Sequence, residues 1–214
     1  MRLLDLFCGA GGAAMGYSQA GFDEIVGIDV EPQPNYPFDF IQANALNPPV
    51  ELDAFDLVHA SPPCQAYSVQ RRSDDHPDLV AMTRAVINNG PYVIENVIGA
   101  PIRRDVILCG SMFGLQIQRH RAFEFRGLSM LTPACNHHDW PDDRPFTVTG
   151  HGDGPNAKPR PHSKGYRDTE HGRELLEVPW MQTRHEIVEA VPPAYTRFIG
   201  EQFLAQAKGR PEAT

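Results

Sequence analysis

The sequence predicts an α/β protein built on a mostly parallel sheet. Short apolar runs of strand length alternate with helix-forming segments through the first hundred residues. The first of these runs also opens straight into a glycine-rich turn and then a helix-forming segment, the start of a βαβ unit.

Arg2–Phe7 reads as a buried strand, and Ala13–Ala20 as a helix stopped by Gly21. Glu24–Asp29 and Asp56–Ala60 are the next strands. Leu79, Met82, Ala85 and Val86 then recur at helical spacing within Pro77–Asn88. Tyr92–Glu95, Val106–Cys109 and Ala122–Phe125 follow as strands. After Gly127 the chain turns rich in Pro, Gly and His and loses its hydrophobic period, which marks 128–173 as an irregular insert. Regularity returns at Arg173–Met181 and at Ala194–Ala207, where Tyr195, Phe198, Ile199, Phe203 and Leu204 share a helix face. The expected organisation is a core of 1–127 and 174–214 around the insert, with the final GRPEAT as a frayed tail.

At 214 residues and 41% hydrophobic, the chain suits one domain with a real core. No apolar run approaches the ~20 residues of a membrane span, and Asp5 interrupts any reading of the N-terminus as a signal peptide. Cysteines at 8, 64, 109 and 135 form no disulfide framework, so a reducing compartment is expected. The net charge of −8 is uneven. Residues 1–70 hold Arg2 against nine acids, whereas 103–126 and 144–173 are each locally basic, the kind of patch that meets a polyanion despite the total.

Four motifs carry chemistry. DLFCGAGG, residues 5–12, joins a strand to a helix; Gly9, Gly11 and Gly12 permit a tight turn, and the helix N-terminus offers free N–H groups. Asp29 ends the following strand, where an acid commonly holds ribose hydroxyls. SPPCQAYS, residues 61–68, stiffens the exit of the third strand and presents Cys64 at the carboxyl edge of the sheet, a position for a nucleophile; Cys8 and Cys109 better fit buried structural thiols. ENV, residues 95–97, sets Glu95 at the end of the next strand, facing the same cleft or capping a turn. In QIQRHRAFEF, Arg119 and Arg121 alternate and so share a face, lining the cleft or standing in solvent.

In this order the motifs resemble those of the cytosine-5 DNA methyltransferase family, most of all its small phage-encoded members. DLFCGAGG resembles the family's S-adenosylmethionine loop, PPCQAYS its nucleophile loop, ENV its proton-donor strand, RHR the end of its Gln-x-Arg-x-Arg strand, and EAVPP at 189–193 its last motif. The match is close over 1–125 and looser over 173–205. It implies a Rossmann-like S-adenosylmethionine-dependent methyltransferase fold whose small target-recognition region is the insert at 128–173.

The implied reaction is methyl transfer from S-adenosyl-L-methionine to carbon 5 of a flipped-out cytosine, through a covalent Cys64 adduct and leaving S-adenosyl-L-homocysteine. Glu95 would bond ring nitrogen 3, and Arg119 and Arg121 would supply positive potential to the thiolate. The cofactor would meet Asp5, Phe7, Gly9, Ala10, Gly11, Gly12, Asp29, Val30, Asn44, Ala45, Pro63, Ala190 and Val191. Gln65, Ser68, Arg144, Lys158, Arg160, Lys164 and Arg167 would touch the nucleic acid, double-stranded DNA, mostly at phosphates. A monomer in the cytoplasm of a bacterial or phage-infected cell, with a role such as restriction-modification, completes the expectation.

The chain departs from the family pattern at three places. Asn44 stands where an Asp usually meets the adenine amine, Ile117 takes the place of the strand's Gln between Gln116 and Gln118, and Glu189 replaces an Asn near the cofactor carboxylate. Cys135, His137, His138, His151 and His162 are too irregularly spaced for a zinc motif and are read as polar loop residues, with no metal expected. Competing readings are a tRNA cytosine-5 methyltransferase, a non-catalytic nucleic-acid-binding homologue and a nicotinamide oxidoreductase. The glycine spacing disfavours the last of these.

Overall fold

The computed structural model describes residues 1–63, 79–136, 145–148 and 164–209. Seven strands form one sheet: β1 (Arg2–Leu6), β2 (Glu24–Asp29), β3 (Asp39–Gln42), β4 (Leu57–Ala60), β5 (Tyr92–Asn96), β6 (Val106–Leu108) and β7 (Arg121–Arg126). Their order is β3-β2-β1-β4-β5-β7-β6. Every pairing is parallel except those of β7, which runs antiparallel to both β5 and β6. Strand order reverses direction at β1, with β2 on one side and β4 on the other, so a crevice opens beyond the carboxyl ends of β1 and β4.

The strands are apolar on both faces because both are covered. Leu3, Val93, Phe123 and Phe125 point into one core, Leu4, Leu6, Tyr92 and Ile94 into the other. The first core is closed by α1 (Gly12–Ala20) and α5 (Pro193–Lys208), the second by α2 (Leu79–Val86) through Val80. Gly12 and Gly16 lie one turn apart on the α1 face that meets the α5 region: a Cβ on Gly12 would fall 2.4 Å from the Val191 carbonyl oxygen, and one on Gly16 2.1 Å from that of Pro193. On the opposing helix, a Cβ on Gly200 would lie 2.7 Å from Ala20.

Local signals explain most boundaries. Gly21 (φ 112°) closes α1 by donating to the Tyr17 and Ser18 carbonyls. Pro193 stands in the first turn of α5, where its missing N–H costs nothing. Strand β3 has only half-buried apolar residues at an edge and escapes sequence reading. The C-terminal helices also differ from expectation. Asp168 caps α3 (Thr169–Leu176) by accepting from His171 N at 2.8 Å, so that helix begins inside the stretch read as insert and ends before Met181. A reciprocal Thr183–Glu186 capping box nucleates the six-residue α4 (Arg184–Glu189), too short to show a period.

Two short strands, β8 (Phe146–Thr147) and β9 (Lys164–Gly165), pair in parallel. Phe146 joins them to the core by exchanging backbone hydrogen bonds with Gln116 and Gln118. No helix among the described residues is long and apolar enough to cross a membrane.

Candidate active site at the carboxyl edge of the sheet

Beyond β1 the chain makes a strained turn. Phe7 (φ 56°), Gly9 (φ 48°) and Gly11 (φ 82°) all take left-handed backbone, unusual for a phenylalanine. Asp29, at the end of β2, holds the turn from the side: one carboxylate oxygen accepts from Gly9 N at 3.0 Å and the other from Glu31 N at 3.0 Å. From the C-terminal part, Trp180 Nε1 donates to the Ala10 carbonyl at 2.8 Å.

The residues expected around the cofactor fall into two groups. Phe7, Gly9 and Asp29 are half-buried; Asn44, Pro63 and Val30 are exposed, Val30 to 64%. A Cβ on Gly9 would meet nothing within 4 Å, so the turn is open there. Asp5, Ala10, Gly11, Gly12, Ala45, Ala190 and Val191 are buried and shape the turn from behind. An added Cβ on Gly11 would strike Pro37 at 2.8 Å and the Tyr36 ring at 3.0 Å.

Asp5 is fully buried, and neither carboxylate oxygen has a hydrogen-bond partner of good geometry among the described residues. Burial, and then the charge of Asp29, push its pKa up to about 8. Asn44 Oδ1 already accepts from Leu46 N at 2.9 Å, with one lone pair left over. Glu189 lies 3.4 Å from His185, and partial desolvation and the charge of Asp29 raise its pKa against the pull of His185.

The second half of the crevice is made by β4 and β5. Asn96 Nδ2 donates to the Pro62 carbonyl at 2.8 Å, tying the strand that carries Glu95 to the loop that leads into residue 64. Glu95 is 5% exposed, and burial raises its pKa, opposed by Arg121, Arg119 and the Ser61 hydroxyl. Arg121 Nε stands 2.9 Å from Glu95 Oε1, although among the described residues no donor hydrogen is well aimed at that oxygen. Behind Ser61 runs a buried relay: His59 Nε2 lies 2.9 Å from Ser61 Oγ, and His59 Nδ1 3.0 Å from Tyr17 Oη. Burial pulls His59 down to about 3, so its ring is neutral, donating through one nitrogen and accepting through the other.

Arg119 and Arg121 do not do the same work. Arg119 is 5% exposed and donates to three carbonyls, those of Val148 at 2.6 Å, Val188 at 2.8 Å and Ala190 at 2.9 Å. It reaches Glu95 only through its charge. Other arginines of the basic stretch 103–126 also have partners within the protein. Arg103 pairs with Asp105 and lies 3.8 Å from Glu124, while Arg126 donates to Asn88. Glu124, fully buried, is held by Arg84 at 2.8 Å and by the Tyr92 hydroxyl at 2.9 Å, contacts that bring it down to about 2.

Cys64, Gln65, Ser68, Arg144, Lys158 and Arg160 lie outside the described residues. Lys164 lies on β9, and exposed Arg167 packs on His171, donating from Nε to Nδ1 at 3.3 Å. Four positioning residues escape the sequence reading: His59, Ser61, Asn96 and Trp180. A histidine inside the otherwise apolar run DLVHA was the one signal available for any of them.

The doubly wound sheet, with a glycine turn, Asp29 and the buried Glu95 at its carboxyl edge, has a methyltransferase fold. Two solved methyltransferase structures share it along nearly the whole chain. One, described as a DNA modification methyltransferase encoded within an E. coli prophage, covers 98% of this chain and 100% of its own at TM-score 0.66 and 13% identity. The other, Dnmt2 of S. pombe, covers 96% and 99% at TM-score 0.61 and 12% identity. In sequence, residues 1–99 match the family described as C-5 cytosine-specific DNA methylase. Type II methyltransferase M.AgeI of Thalassovita gelatinovora is 32% identical over 121 residues, covering 46% of this chain. M.XorII of Xanthomonas oryzae is 30% identical over the same share. The matched segment spans only 28% of each of these two relatives. Over its first 99 residues the chain is thus similar to the C-5 cytosine-specific DNA methylase family.

Proposed function

We propose that the protein is a DNA (cytosine-5-)-methyltransferase that uses S-adenosyl-L-methionine and a covalent Cys64 adduct. The observation that carries this reading is the Asn96–Pro62 hydrogen bond, which tethers the root of the PPC loop beside a buried Glu95 of raised pKa.

The open turn at Gly9, the Asp29 carboxylate and the exposed apolar Val30 fit a ligand with a polar end, a ribose and an adenine. Phe7, Asn44 and Pro63 would hold it with them. When bound, the cofactor supplies the methyl group.

The remaining chemistry is the chain's own. Cys64 adds as a thiolate to carbon 6 of an extruded cytosine, and Glu95 lends its proton to ring nitrogen 3, leaving the electron pair at carbon 5. Arg121 keeps Glu95 oriented and supports the negative charge left when its proton moves. Once carbon 5 is methylated, loss of its hydrogen as a proton to solvent expels the Cys64 sulfur as thiolate, and ring nitrogen 3 returns its proton to Glu95, which restores the neutral aromatic ring. The backbone of the target, double-stranded DNA, meets Gln65, Ser68 and the basic side chains Arg144, Lys158, Arg160, Lys164 and Arg167.

Methylation of a plasmid library followed by base-resolution sequencing tests the reading directly. The expected result is 5-methylcytosine in one short sequence context, lost in Cys64→Ser. A duplex carrying 5-fluorocytosine in that context should also trap the wild-type chain. Methylation of transfer RNA but not of duplex DNA, or an active Cys64→Ser, would overturn it.

A further inference from the structure

Cys109, His120 and Cys135 come from three separate segments: the end of β6, the residue before β7, and the stretch that leaves β7 toward residue 137. Their ligating atoms all lie within 4.8 Å of one another. We propose that these three side chains form a zinc site, independent of the cleft that holds Glu95. It revises the expectation of no metal, under which Cys109 was a structural thiol and Cys135 a loop residue.

The geometry is close to that of a metal shell. Bonds of ~2.3 Å to sulfur and ~2.0 Å to nitrogen at tetrahedral angles place the two donors ~3.5 Å apart. Cys135 Sγ stands 3.5 Å from His120 Nε2. A thiol–imidazole hydrogen bond alone gives a similar distance, but it needs no third donor, and Cys109 supplies one. Cys109 is fully buried, whereas Cys135 and His120 are half-buried, so an ion reaches the cluster from the Cys135 side. Ser111 Oγ is 3.5 Å from the Cys135 sulfur, placed to donate to it once it is a metal-bound thiolate, an outer-shell bond that steadies such a ligand. The fourth position goes to water.

Chemistry selects the ion. Two thiolates and an imidazole favour zinc over the hard cations magnesium and calcium. Binding forms two zinc–sulfur bonds and releases two thiol protons to solvent, one of them the proton Cys109 now directs toward the Ile117 carbonyl. Two thiolate charges cancel the charge of the ion, so the buried cluster stays neutral. The site would pin the segment after β7 to the sheet edge at β6 and β7, the point where the chain leaves the core for the insert.

Elemental analysis of the full chain, purified under reducing conditions without chelator, should find one zinc per chain. After stripping, titration with Co(II) alone should give a near-ultraviolet thiolate charge-transfer band and the intense visible bands of tetrahedral cobalt. Cys135→Ser, in a half-exposed segment, should stay folded and lose at least ~100-fold in Co(II) affinity. Ser111→Ala should weaken binding by ~10-fold and leave the thiolate band in place. No thiolate band in the stripped wild type, full affinity in Cys135→Ser, or a Cys109–Cys135 disulfide in place of metal under reducing conditions would each overturn the assignment.

Discussion

Arg121 Nε and Glu95 Oε1 face each other at 2.9 Å across the antiparallel β5–β7 pair, yet the carboxyl is raised rather than lowered. Burial outweighs the ion pair, because the guanidinium comes close without aiming a hydrogen at the oxygen. In the proposed reaction the raised pKa would suit Glu95 to give up a proton, with Arg121 beside its charged form. Glu95→Gln is expected to lower kcat by ~100-fold or more while leaving cofactor affinity within a few-fold. In the wild type, kcat should fall as pH rises through the raised pKa, and that limb should be missing from the residual activity of Glu95→Gln. Steady-state rates across pH check both.

Two other carboxylates set the pH profile of stability, with opposite signs. Asp5 sits at about 8 against an ordinary 3.8, so the folded chain keeps a proton that the unfolded chain gives up. This stability is complete below pH 3.8 and is lost as pH rises toward 8, on the order of 5 kcal/mol in all. Glu124 sits at about 2 against 4.5, and its contribution is present above pH 4.5 and lost as pH falls through 2, on the order of 3 kcal/mol. The maximum in Tm is therefore expected on the acid side of neutrality. Asp5→Asn should flatten the alkaline fall and raise Tm at pH 8, whereas Glu124→Gln should lower Tm at neutral pH. Calorimetry on the three proteins from pH 3 to pH 9 checks this.

The elements that carry the site were readable because each announces itself locally. Six of the seven sheet strands come from short apolar runs, and the glycine turn and the ENV triplet lie directly at strand ends. What could not be read depends on contacts across long sequence separations. Nothing near Arg119 in sequence says that its guanidinium will collect carbonyls from residues 148, 188 and 190. Nor does ENV by itself reveal that Asn96 will hold Pro62, 34 residues earlier.

Arg119 makes a sharper case for geometry over charge. Its three carbonyl partners gather the ends of two separate segments onto one planar fork. Lysine keeps the charge but cannot span all three acceptors. Arg119→Lys is expected to cost about 3 kcal/mol, seen as a lower denaturation midpoint, and to weaken S-adenosylmethionine binding through the loosened Val188–Ala190 segment. Equal losses of stability in Arg119→Lys and Arg119→Ala would fit this account; full rescue by lysine would not.

Gly9 and Gly12 share a motif but answer to different demands, and alanine separates them. At Gly12 a Cβ would sit 2.4 Å from the Val191 carbonyl oxygen, backbone that cannot move without displacing the α1–α5 packing. Gly12→Ala should therefore lower stability by several kcal/mol, as overpacked sites do when they cannot relax. At Gly9 a Cβ meets nothing, and the only folding cost is the left-handed φ of 48°, about 1 kcal/mol. The methyl would nevertheless project into the open side of the turn. Gly9→Ala is thus expected to fold nearly normally and to bind labelled S-adenosylmethionine at least ~10-fold more weakly, a steric clash worth about 1.4 kcal/mol. Chemical denaturation paired with cofactor titration on the two variants separates a glycine kept for packing from one kept for a ligand.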